Sequence, residues 1–137
     1  MFFWNANDLR TSNVFVTINT VAQLAYVAAR LRPMNTASTN STLTHVVAKT
    51  FAGIGILDFL HNTSAAYFIG EAPITLIKAI TGVGFLGAAA MSDWILGGCL
   101  VYDLVALACG QSGQWRGLLG AYAAGAAAIV GARNWAK

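Results

Sequence analysis

Long apolar stretches alternate along this chain with short polar breaks, and the length of each stretch sets what it can be. Crossing the hydrocarbon layer of a bilayer takes about 20 residues of helix. Val14 to Leu31 is the first candidate, closed by Arg30, Arg32 and Pro33. Within it Asn13, Thr17, Thr20 and Gln23 recur at helical spacing as one polar stripe, with Val14, Ile18, Val21, Ala25 and Ala28 on another side. That stripe is expected to face protein. The polar run Pro33 to Thr42 is a loop, and Leu43 to Ile69 reads as a second helix, longer than a bilayer needs and therefore tilted or protruding.

Glu71, Ala72 and Pro73 make the next break, Pro73 suiting the first turn of a third helix, where its missing N–H is harmless. Ile74 to Cys109 is too long for one span, overshooting the membrane by about 20 Å. A turn at Ser92 and Asp93 is the expected solution, because the MSDW run offers an N-cap followed by an aromatic. The candidate spans are thus 14–31, 43–69, 74–91, 94–109 and 117–132. The last is rich in small residues: Gly117, Ala121, Ala124 and Ala128 recur every three or four positions, which lets another helix backbone approach closely. Gly84, Gly87, Ala88 and Met91 repeat the idea in the third span.

The expected fold is an all-α membrane protein, a small polytopic bundle of four to five transmembrane helices with short loops, forming a single integral membrane domain over 1–137. Five spans put Arg30, Arg32, Arg133 and Lys137 on one side and Asp8, Arg10, Glu71 and Arg116 on the other, so the positive-inside rule places the C-terminus in the matrix or cytoplasm. Without the turn at Ser92 and Asp93 there are four spans, and the C-terminus changes sides. Phe2, Phe3 and Trp4 suit an anchor at the headgroup level. The N-terminus has neither the pattern of a secretory signal nor that of a transit peptide.

Composition points the same way. The 137 residues are 57% hydrophobic and 9% charged, and five acids with eight Lys and Arg are too few to wrap a water-facing core. The formal net charge of +3 is scattered, so nucleic-acid binding is not expected. Cys99 and Cys109 would lie about 15 Å apart on one helix, beyond disulfide reach, and read as free packing thiols.

Few side chains carry candidate chemistry. Asp58, His61 and Asp103 are the candidates for a quinone or other polar intramembrane site, because a carboxylate in mid-membrane costs at least about 2.5 to 3.5 kcal/mol and must be offset. A packing role, with these acids locking helix register, competes with that reading. His61 follows Asp58 by one helical turn, so the carboxylate can orient the imidazole, while Asn62, Thr63 and Ser64 offer His61 other partners. Lys49 and Lys78 read as snorkelling to the interface. His45 and His61 are separated by about 24 Å of helix, so one haem iron cannot take both. No metal site and no catalytic residue is expected, nor any phosphate-binding loop: the GVGFLG run at Gly82, Gly84 and Gly87 lacks a preceding strand.

The run FAGIGILDFLHN, Phe51 to Asn62, resembles the small membrane-anchor subunit of succinate dehydrogenase, whose helix has glycines ahead of an Asp-Tyr quinone pair and a haem-binding histidine. The resemblance is confined to this run. Phe59 stands where that family has tyrosine, and no histidine occupies the matching upstream position.

The expected function is that of a non-catalytic accessory subunit, structural or assembly-related, in a larger membrane complex, with a respiratory-chain complex of the mitochondrial inner membrane as the expected setting. The alternatives are a quinone-site anchor subunit of a respiratory dehydrogenase and a small proton-coupled carrier. Expected partners are other membrane subunits, packed through Gly117, Ala121, Ala124 and Ala128, and membrane lipids. Bound lipid is expected and no intrinsic cofactor is, with quinone or haem only where other subunits complete a site.

Overall fold

A computed structural model describes residues 8–68 and 72–135, which hold five α-helices and no strand. The helices are α1 (Leu9–Ala29), α2 (Thr39–Tyr67), α3 (Thr75–Met91), α4 (Trp94–Cys109) and α5 (Gly113–Trp135). They belong to two compact units, Met1–Ala72 and Pro73–Lys137. The expected aromatic anchor at Phe2, Phe3 and Trp4, the residues Ile69 and Glu71 of the second break, and Lys137 lie outside the described residues.

Local chemistry accounts for the helix boundaries. Asp8 caps α1 by accepting from the Thr11 amide at 3.1 Å, which draws the helix start five residues ahead of Val14. Ser38 caps α2 and accepts from the Ser41 amide, while Ser41 Oγ accepts from the Asn35 amide at 2.9 Å, so the polar loop is knitted to the helix it precedes. Pro73 stands just ahead of the α3 cap, Ile74, rather than inside the first turn. The expected turn is present. Ser92 Oγ donates to the Ala89 carbonyl at 2.9 Å, Asp93 accepts from the Leu96 amide at 3.1 Å, and α4 restarts at Trp94.

The first unit is an antiparallel hairpin of α1 and α2: Asn13 meets Thr63, and Thr20 meets Gly55. The second unit has three helices. α3 and α5 run parallel, since Tyr122 OH donates to the Lys78 carbonyl at 3.0 Å and Arg133 to that of Ala90 further along both helices. α4 runs antiparallel to α5, with Gly97 near its start against Val130 near the end of α5. Leu100 and Leu104 of α4, Leu119, Ala123, Ala126 and Val130 of α5, and Phe85 and Ala89 of α3 form the core of this unit. The buried positions of α5 step by four, three and four residues, which keeps one stripe on its neighbours.

Among the described residues α2 is the one helix both long and apolar enough to cross a membrane, with 29 residues that include an 18-residue stretch of mean hydropathy 1.4. α3 and α4 are apolar but have 17 and 16 residues. α1 and α5 reach 21 and 23 residues, but Asn13, Thr17, Asn19, Thr20 and Gln23 in one, and Gln114, Arg116 and Arg133 in the other, lower their apolarity.

Candidate functional site

Burial in the α1–α2 hairpin is inverted relative to a water-soluble pair of helices. Its buried side chains are Asn13, Thr20, His45 and Lys49, with Ala52 the one apolar side chain among them. Outside stand Val14, Phe15, Ile18 and Val21 on α1, and Leu43, Val47, Phe51 and Ile54 on α2. The stripe expected to face protein is therefore the inner face of α1, where Asn13 and Thr20 pack on α2.

Each seam contact follows from a short polar side chain meeting a helix backbone or another polar group. Thr63 Oγ1 donates to Asn13 Oδ1 at 3.1 Å, and Thr17 Oγ1 turns back to the Asn13 carbonyl at 2.7 Å. Thr20 Oγ1 donates to the Gly55 carbonyl at 2.8 Å, across 35 positions of sequence. Gly55 is what permits that approach, because a Cβ there would stand 2.7 Å from Gln23 Oε1 and 3.3 Å from Thr20 Oγ1. Gln23 Nε2 donates to Asn19 Oδ1 at 3.2 Å, leaving Oε1 buried without a hydrogen bond.

At the loop end, His45 Nε2 lies 2.8 Å from the Arg32 carbonyl, so Nε2 carries the proton and ties the loop to α2. His45 Nδ1 is buried with no hydrogen-bond partner. Lys49 follows one turn later and is 8% exposed, so its stem and head both lie within the interface rather than reaching out to water. Both basic residues share the inner face of α2 with Ala52 and Gly53.

No family model, curated protein or solved structure matches this chain. Its chemistry is read from its own residues alone.

The candidate site residues fall in different places. Asp58 and His61 are both exposed on α2, continuing the outward row Leu43, Val47, Phe51 and Ile54. Two of the three neighbours considered for His61 are engaged elsewhere: Asn62 Nδ2 donates to the Asp58 backbone carbonyl at 2.9 Å and Thr63 bonds Asn13. Asp103, in the second unit, is 1% exposed on the inner face of α4 with Gly97, Leu100 and Leu104. Among the described residues, no group of three or more His, Cys, Asp or Glu side chains converges. Cys99 and Cys109 are free thiols, one half-buried and one exposed.

Sequence reasoning missed His45 and Lys49 as interior groups. A signal was present: Ala52 and Gly53 follow on the same helical face, and small residues mark where α1 comes close.

Proposed function

We propose that this chain is an integral membrane protein acting as a non-catalytic accessory subunit, which packs its helices against those of a larger complex. The inverted hairpin carries the reading. A pair of helices that hides Asn13, Thr20, His45 and Lys49 while exposing Phe15, Ile18, Val21, Phe51 and Ile54 is stable where the surroundings are apolar, because hydrocarbon reverses the preference that water imposes.

The second unit supports the same placement. Trp115 and Trp135 mark the two ends of α5, and their separation of 20 positions spans about 30 Å, the thickness of the hydrocarbon core. Indole rings favour the headgroup level, and Arg116 and Arg133 stand beside them. Ala121 and Ala128 lie exposed on α5 outside the groove it forms with α4, open to a neighbouring helix. The respiratory-chain complex of the mitochondrial inner membrane expected from the sequence is the setting we propose for it.

The test is gentle solubilisation and co-purification. The wild-type chain is expected to elute with other membrane subunits, and Ala121→Leu with Ala128→Leu to release it while leaving helicity unchanged by circular dichroism. A stable wild-type monomer without partners would overturn the reading. A second reading rests on the exposed Asp58 and His61: a quinone site on the outward face of α2 that another chain completes. In that case Asp58→Asn lowers quinone reduction by the assembled complex without affecting assembly.

A further inference from the structure

Between α4 and α5 lies an open groove of about 710 Å³, walled by Val101 and Val105 on one side and by Gly117, Gly120 and Ala124 on the other. Its volume falls within the range of small-ligand sites, roughly 300 to 1,000 Å³. One charged residue, Arg116, lines it. That residue stands one turn into α5, near the loop that joins the two helices, whereas the other end of the lining along α5 is Ala127.

The length of the groove decides what it can hold. Along α5 the lining runs from Gly113 to Ala127, about 21 Å of helix, and along α4 from Val101 to Cys109, about 12 Å. Both are well short of a full crossing of about 30 Å and bracket the depth of one leaflet. A partner helix crossing the bilayer would continue past the end of the groove; a single acyl chain entering from the headgroup level would not. Gly113 lines the loop end of the groove at φ +60°, a backbone conformation glycine adopts without strain.

We propose that this groove binds an anionic glycerophospholipid, its phosphate held by Arg116 and one acyl chain laid between Val101, Val105 and the Gly117–Gly120–Ala124 floor. The proposal rests on the membrane placement above and goes beyond it by naming a site and a headgroup charge. A guanidinium matches a phosphate with paired N–H donors, which a zwitterionic lipid engages less well because its own ammonium competes.

The experiment uses the full chain purified in a neutral detergent and titrated with phosphatidylglycerol or phosphatidylcholine, read by native mass spectrometry and by thermal unfolding. Phosphatidylglycerol is expected to be retained and to raise the unfolding temperature more than phosphatidylcholine. Arg116→Gln should weaken phosphatidylglycerol binding about tenfold and erase the preference. Gly120→Leu should remove binding of both lipids while circular dichroism stays that of the wild type, a Cβ at Gly120 meeting no atom within 4 Å. Equal retention of both lipids by the wild type, or phosphatidylglycerol binding unchanged in either variant, would overturn the site. A parallel run without detergent separates the two ideas: folded, dispersed protein there would overturn the membrane placement, whereas lost headgroup preference in a chain that needs detergent overturns the lipid site alone.

Discussion

Thr20 is a poor helix former by propensity, yet it sits in the middle of α1, because its hydroxyl reaches the Gly55 carbonyl and α2 covers it. Thr20→Val keeps the shape and removes the donor, so the hairpin should lose about 0.5 to 1 kcal/mol, as measured by reversible unfolding in mixed micelles. Asp8 acts at the opposite extreme, on an exposed helix end. The Thr11 amide, and then the Thr11 side chain, hold its carboxyl below the ordinary aspartate value of 3.8. A carboxylate whose pKa is depressed by folding contributes its stabilisation above its unfolded pKa and loses it as the pH falls through the folded value. The protection factors of amides over the first turn of α1 should therefore fall on acidification below about pH 4, and Asp8→Asn should flatten that dependence.

At the scale of elements, the second unit combines close approach at its glycines with the bonds of Tyr122 and Arg133 to helix carbonyls. A Cβ on Gly97 would lie 2.6 Å from both methyl carbons of Val130 and 2.7 Å from Ser92 Oγ. Valine is stiff at χ1 and Val130 is buried, so neither methyl can swing away. Gly97→Ala should cost about 1 to 3 kcal/mol, and Val130→Ala should restore much of it in the double variant, read as a coupling in a double-mutant cycle. Gly82 takes the Tyr122 ring in the same way on α3, which gives the first glycine of the GVGFLG run a packing role. The hairpin obeys another rule. Its helices touch through hydroxyl and amide groups, Thr20 on Gly55 and Thr63 on Asn13, and these directional bonds set the register of α1 on α2.

For the whole molecule, the exposed apolar surface determines behaviour. Phe15, Ile18, Val21, Ile80, Val83 and Met91 are all more than half exposed, across both units, and such surface associates in water. After reconstitution into bilayers, Trp115 and Trp135 fluorescence should be quenched by headgroup-level probes and spared by probes at the bilayer centre. Quenching by the central probes would place α5 elsewhere.

Five helices, the break at Ser92 and Asp93, and α4 to the residue were legible in the sequence, because capping side chains and apolar runs act within a few positions of where they stand. The polar stripe of α1 was legible too, since its period is a property of one helix. Its partner was not. That Thr20 meets Gly55, that Asn13 meets Thr63, and that His45 and Lys49 turn inward while Asp58 and His61 turn outward depend on which face of α2 lies against α1. That choice is made by packing between segments about 35 to 50 positions apart, where a glycine permits contact that no local pattern encodes.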